Sequence, residues 1–465
     1  MLSKFLKDRI NIAKKIIEDL SDEYEYISIF GKHANTNRIM LNANVTSVGQ
    51  SDRITDSEAW FVIKVYNDNH YSEYSIDDIK DLDYGQFKEA IKLHGLKQEY
   101  VSSGLLTDEP LVKSFNREEN DRMSDDEIIS SLKDIKEYIE NYDQRIVNVF
   151  TVNICRETSS IFVSKNKCLD QYYVWNHCMI QVVSADDKGI KTIFKSENEV
   201  NVKDALKKLD NRKEEIAKLA IKMLEAKTII PGTYDVITDP SISGLIAHEA
   251  FGHGVEMDMF VKNRAKAKDF VNKQVASELV NMHDGASATL SSASYFFDDD
   301  GILANDTQII KDGILVDGLS DVLTALELNK KPSGNSRRES TRRKAYTRMT
   351  NTFFGAGKDN VDDMIKSIKH GYYLCDTNNG MEDPKNWQIQ CTAQYALEIE
   401  DGKFNGNIYS PVVISGYVPD LLKSISMVSD EVIITGSGMC GKGHKEWVYV
   451  ADGGPYLKAR VKLGW

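Results

Sequence analysis

The sequence predicts the α+β class: an N-terminal α+β domain over residues 1–228, then a mainly antiparallel β domain over 229–465 built around one central helix. Three observations lead there. Up to residue 227 the patterns run helix, several strands, then helix again, which is the order of an α+β layer. Pro231-Gly232 then punctuates the chain. Beyond it, short apolar runs are separated by acidic-glycine turns of hairpin type: Asp298-Asp-Asp-Gly301, Lys311-Asp-Gly313 and Glu400-Asp-Gly402.

Residues 3–20 place Phe5, Ile10, Ile12, Ile16, Ile17 and Leu20 on one face, the spacing of an amphipathic helix. Strand-like runs follow at 24–30, 38–46 and 59–66, the last alternating at Phe61, Ile63 and Val65 and closed by a turn at Asn67-Asp-Asn69. Helical patterns occupy 86–94 and 125–142. Three consecutive strands are expected at 146–154, 158–164 and 171–184, then a charged helix over 201–227. In the second part, 233–238 reads as a strand, and Asp239-Pro240-Ser241 can cap the helix that follows it. Further strands are expected at 308–314, 392–399, 412–416 and 431–435.

A chain of 465 residues has ample core for two or three domains. The net charge of -13 and the lack of a Lys/Arg-rich run speak against nucleic acid as a partner. No apolar run approaches the roughly 18 residues of a membrane span, and the N-terminus lacks the uninterrupted apolar stretch of a signal peptide. Six scattered cysteines with no C-x-x-C suit a reducing compartment, so a cytoplasmic location is expected.

The central helix carries the chemistry. His248 and Glu249 are adjacent and His253 follows five residues after the first, an H-E-x-x-x-H pattern. Two imidazoles on one ion, with a carboxylate beside them, can activate water. The zinc-protease form is H-E-x-x-H, with both imidazoles on one helix face. At about 100° per residue, an i+4 pair diverges by about 40° but an i+5 pair by about 140°. A regular α-helix cannot aim both rings at one ion, so a π-bulge or a helix end is expected near Gly252. A catalytic site needs a third protein ligand. Glu256, His444 and Cys440 are all chemically suitable; Cys440 lies in the glycine-dense loop Gly436-Ser-Gly-Met-Cys-Gly-Lys-Gly443. That loop satisfies G-x-G-x-x-G, but another strand rather than a helix is expected after it, and only 24 residues remain after Gly441. A dinucleotide site is rejected.

The stretch from His248 to Glu256 together with Gly438-Met-Cys-Gly-Lys442 resembles the TldD/PmbA family, in its TldD-like metalloprotease branch. The likeness continues in Ser294-Tyr-Phe-Phe-Asp-Asp-Asp-Gly301, Ser333-Gly-Asn-Ser-Arg-Arg338 and Arg348-Met-Thr-Asn-Thr352. The resemblance implies one zinc per chain on His248, His253 and Cys440, with Glu249 as catalytic base. It also implies a peptide substrate, short or unfolded, and a homodimer or a heterodimer with a PmbA-like subunit. Members without the histidine motif exist, so a non-catalytic or partner-dependent subunit is the alternative. Arg348, the family-like member of the one dense basic cluster, is expected to face the substrate together with Asn351; Asp298 and Asp299 are read as a tight turn. The chain departs from the family pattern at Thr377-Asn-Asn-Gly380 and at Lys445-Glu-Trp-Val448.

Overall fold

A computed structural model describes residues 1–43, 45–50, 58–67, 70–94, 109–435, 438–443 and 446–465. The N-terminal half forms one eight-stranded sheet. Its strands are β1 (Tyr26–Asn42), β2 (Val45–Gln50), β3 (Ala59–Asn67), β4 (His70–Ile76), β5 (Leu111–Arg117), β6 (Ile146–Ser164), β7 (Lys167–Asp186) and β8 (Gly189–Glu199). The path is β4-β3-β1-β6-β7-β5, with β2 on β1 and β8 on β7, and every pair is antiparallel except β5 with β7.

Alternation in β3 has a clear outcome. Phe61, Ile63 and Val65 join Leu6, Ile16, Ile17 and Leu20 of the N-terminal helices in one core. Trp60 and Val62, on the opposite face, pack with Phe30, Phe162 and Leu169 against Phe297 of the second half. The helices Asp125–Glu140 and Val202–Lys222 bury Leu132, Ile135, Leu206 and Leu209 on the distal part of β6 and β7. The first of them starts at a reciprocal Ser124/Glu127 capping box.

Two expected breaks are absent. Residues 146–154 and 158–164 are one strand, because Arg156 and Glu157 keep their ladder partners Trp175 and Val174. Run 24–30 and the first part of run 38–46, to Asn42, likewise merge through Lys32–Asn37, paired along Ser160–Cys155 of β6, whereas Val45 and Thr46 belong to β2, antiparallel to β1. Polar residues looked like linkers in sequence. The ladder carries their backbone groups, and tertiary partners take their side chains, as when Arg156 Nη2 donates to the Ser292 carbonyl at 2.9 Å. Of the expected turn at 67–69, residues 68 and 69 lie outside the described residues.

The second half contains a closed sheet. Strands His370–Asp383, Gly232–Thr238, Leu457–Gly464, Val412–Tyr417 and Gln388–Glu400 pair in that order, and the last returns to pair with the first, a five-stranded barrel. Lys403–Tyr409 extends it through a hairpin at Asp401-Gly402, both residues at positive φ (46° and 75°), as the sequence turn signal requires. The Lys311-Asp-Gly313 signal makes a second hairpin of the same kind, with φ of 47° and 78° at Asp312 and Gly313. A separate sheet holds Thr307–Lys311, Met282–Asp284, Asn351–Phe354 and Val448–Gly454. Pairing is antiparallel apart from Gly232–Thr238 with His370–Asp383 and Asn351–Phe354 with Val448–Gly454. The expected strand 431–435 shrinks to Ile433–Ile434.

The central helix runs between the barrel and this second sheet, and its residues from Ile242 to Gly252 are buried except Glu249. It lies so close to Val448–Gly454 that a Cβ at Gly244 would stand 2.3 Å from the Gly453 amide nitrogen, so only glycine fits. Gly301 at φ 69° lets the Asp298–Gly301 turn dock on Phe162 of β6, and Lys64 of β3 pairs with Asp300 there. Among the described residues, no helix is long and apolar enough to cross a membrane.

Candidate metal centre

Asp239 caps the central helix, its Oδ1 accepting the Ile242 N–H at 2.8 Å, with Pro240 in the first turn. The helix is α only to Leu245. Ile246–Gly252 is π-helical, and the His253 N–H bonds the His248 carbonyl. An i→i+5 bond stacks residues five apart over one another, which is what the H-E-x-x-x-H spacing demanded. The two imidazoles come to 5.2 Å between centroids, nearly perpendicular at 85°.

Cys440 arrives from the other side on the strand Gly438–Cys440, which pairs with Val448–Gly454. Its Sγ lies 3.2 Å from His253 Nε2, and one donor atom from each of His248, His253 and Cys440 falls within 4.8 Å of the others. Sulfur and nitrogen on one tetrahedral zinc stand roughly 3.6 Å apart, given bonds of about 2.3 and 2.0–2.1 Å. His248 Nδ1 is buried with no protein partner. One thiolate and two imidazoles converging in a buried site fit a divalent ion of the zinc type.

Glu256, weighed in the sequence as a third ligand, sits behind the cluster instead. Its Oε2 is 3.2 Å from His253 Nδ1, leaving Nε2 to face Cys440. Arg348 Nε donates to Glu256 Oε1 at 3.0 Å; Lys442 Nζ is 3.1 Å from Oε2 and 2.6 Å from Asp258 Oδ1. Arg348 is fully buried, and its remaining donors go to Cys440 Sγ (2.9 Å), the Cys440 carbonyl (3.1 Å) and the Glu446 carbonyl. The structure therefore places Arg348 at the back of the His248–His253–Cys440 cluster, with its guanidinium committed there. Asn351 is also buried, its Nδ2 donating to the carbonyls of Gly285 and Thr289 and to Ser294 Oγ. Neither lines the cleft beside the metal cluster. His444 lies outside the described residues.

Charge in this network is consistent. Burial alone would raise the Cys440 pKa, but His253 and His248 hold it well below the usual thiol range. Burial opposes the charge on His253, yet Cys440 and Glu256 raise its pKa well above the ordinary value. Glu256 is held well below the carboxylate range by Lys442, Arg348 and His253 against the cost of burial.

The other side opens on a cleft of about 1120 Å³ lined by His248, Glu249, Cys440, Asp452 and the Thr377–Gly380 stretch. Glu249 lies against Gly380, where a Cβ would come 2.5 Å from its Cγ. His177 is also in this wall, its Nδ1 3.0 Å from Asn198 Oδ1. Two acids went unnoticed in the sequence. Burial pushes Asp452 up to about 6, with His248 opposing and Glu249 adding to the rise. Glu382 has both carboxylate oxygens buried without a partner, and burial raises its pKa well above normal. Asp452-Gly-Gly454 was an available signal for the first; no local pattern marks the second. Asp298 accepts the N–H groups of Asp300, Ile302 and Ser336, so it is the tight turn the sequence indicated.

Comparison with known proteins agrees with this geometry. Residues 231–460 match the PmbA/TldA metallopeptidase C-terminal domain. A protein named "Metalloprotease" from Methanothermobacter thermautotrophicus is 26% identical over 461 residues, covering 96% of each chain. A "Zinc metalloprotease TldD homolog" from Saccharolobus solfataricus is 30% identical over 251 residues, 54% of this chain and 55% of that one. The crystal structure of TldE from Thermococcus kodakarensis superposes with a TM-score of 0.73 at 18% identity, covering 97% of this chain and 99% of that one, a likeness of fold. With its second half matched by the family's own domain and its whole length by a named relative, the chain belongs to the TldD/PmbA family.

Proposed function

We propose that this chain is a zinc-dependent peptidase acting on short or unfolded peptides. The observation that supports it is the convergence of His248, His253 and Cys440 within 4.8 Å at the wall of a cleft that also receives Glu249. His248, His253 and Cys440 would hold zinc there, which would supply a Lewis acid and lower the pKa of a water. Glu249, adjacent to His248, accepts a proton from the attacking water and returns it to the leaving amine. Glu256 fixes the His253 ring by its hydrogen bond, and Arg348 holds the Cys440 sulfur in place. The pairing of Arg348 and Lys442 with Glu256 keeps that carboxylate from competing as a ligand.

A reducing, cytoplasmic setting suits an enzyme that depends on a free thiolate; the described cysteines are all unpaired. The working assembly we propose is a dimer, either of two copies or with a PmbA-like subunit, and the mass of the purified particle in solution distinguishes these from a monomer. The central test has two parts. Metal analysis should find one zinc per chain in the wild type and much less after Cys440→Ala. Glu249→Gln should retain zinc while peptide hydrolysis falls by about 10²–10⁴-fold. Retained hydrolysis in Glu249→Gln would remove the base; absence of metal in reconstituted wild type would favour a non-catalytic subunit.

A further inference from the structure

A second, smaller cavity of about 70 Å³ lies between the N-terminal sheet and the second half of the chain. By the measure on which one water needs roughly 10–15 Å³, it has room for several waters or one small polar group. Arg156 and Arg337 both line it, beside Tyr173, Tyr295 and Trp447. Arg156 lies 3.5 Å over the Tyr449 ring and donates to the Ser292 carbonyl at 2.9 Å. Arg337 donates to the Met349 carbonyl at 2.6 Å. A guanidinium carries five N–H donors. Among the described residues, no carboxylate lies within ion-pair distance of either arginine.

The acids of the lining are already engaged. Asp298 accepts three backbone N–H groups, and Asp299 accepts the Arg338 N–H at 2.9 Å. Glu339 accepts the Glu446 N–H at 2.8 Å and faces Arg343. Arg338, the other arginine of the lining, is bound to Glu73 and Asp299. Lys32, also in the lining, faces Asp299 and lies 6.0 Å from the Trp60 ring. The positive charge left over is therefore that of Arg156 and Arg337, in a pocket too small for much more than one anionic group.

This pocket adjoins the metal cleft. Met439, the neighbour of Cys440, lines both. Met349, whose carbonyl Arg337 holds, packs its sulfur where a Cβ on Gly252 of the π-helix would be. We propose that Arg156 and Arg337 form a seat for a carboxylate or an oxyanion of similar size, and that its occupant is the C-terminal carboxylate of a peptide reaching past Met439 from the metal cleft. The identity of the occupant rests on the peptidase reading; the seat itself does not.

The test is calorimetric titration of tetra-alanine and its C-terminal amide into full-length Glu249→Gln protein, with sodium sulfate as a second probe and the peptides checked for integrity afterwards. Charge-assisted pairing predicts that the free acid binds roughly ten- to a hundredfold more tightly than the amide. Arg156→Gln should abolish that preference at unchanged melting temperature, Arg156→Lys should restore part of it, and sulfate should compete with the acid. Sulfate binding that depends on Arg156, with acid and amide bound alike, would keep the seat and overturn the peptide terminus as its occupant. No sulfate binding and no acid preference, or a preference that survives Arg156→Gln, would overturn the seat. Failure of the peptidase reading would show separately, as absent hydrolysis by zinc-loaded wild type.

Discussion

The two sides of the His248–His253–Cys440 cluster are built on opposite rules. Behind it, Glu256, Arg348, Lys442 and Asp258 are interlocked, and each charge faces an opposite one within about hydrogen-bond distance. In front, Glu249 and Asp452 line an open cleft, and Asp452 is held up to about 6 by burial rather than stabilised by a donor. The paired side fixes ligand geometry; the open side keeps polar groups available for a substrate. Ion pairs taken out of water contribute little net stability but are costly to break, so the first side should be sensitive to mutation in stability and the second in pH response and activity.

The largest effect is expected behind the cluster. Arg348→Met leaves Glu256 buried with Lys442 and His253 but without its guanidinium partner, and chemical denaturation of metal-free protein should show a loss of about 3 kcal/mol. A loss below about 1 kcal/mol would mean the pair is not the anchor described. Next is the open side. An Asp452 pKa raised from the ordinary 3.8 to about 6 favours folding only while the group stays protonated in the native state. Its contribution is present below pH 3.8 and is lost as pH rises through 6, a swing on the order of 3 kcal/mol. Metal-free Asp452→Asn should accordingly gain stability over wild type at pH 8 and lose that advantage by pH 4. Glu256, depressed rather than raised, has the opposite sign, and its stabilisation disappears as pH falls below the normal carboxylate range. The smallest effect is local. Gly380→Ala would push a Cβ into Glu249; hydrolysis should fall roughly ten- to a hundredfold while zinc content and melting temperature stay near wild type. Unchanged hydrolysis would separate Glu249's position from the reaction.

Legibility from sequence followed the range of the interaction. The separation of His248 and His253 is a local fact, and it was enough to require the wide turn that the structure has at Ile246–Gly252. The two aspartate-glycine hairpins were equally local. Glu256 was visible as a residue on the right face, but its role depended on Arg348 and Lys442, far along the chain. Arg348 itself was read as substrate-facing because it is the family-like member of the basic cluster; its burial depends on Glu256 and the Cys440 strand closing over it. The closed barrel was invisible for the same reason, since its closure pairs strands that no periodicity links. Where polar residues interrupted a strand, as at Arg156-Glu157, the pattern suggested a break that tertiary partners make unnecessary.

The wide turn at Ile246–Gly252 also makes the chain unusually intolerant of a change in length there. One residue removed between Glu249 and His253 would recreate H-E-x-x-H, a pattern an ordinary α-helix accommodates well. The helix would gain regular hydrogen bonds. Everything after the deletion, however, would be drawn back by about 1.5 Å and rotated by about 100°, carrying Glu256 away from Arg348 and Lys442. A sequence that looks more like a standard zinc helix would thus be a worse one in this scaffold, and the additional residue is a spacer that sets the phase between the two histidines and the carboxylate behind them.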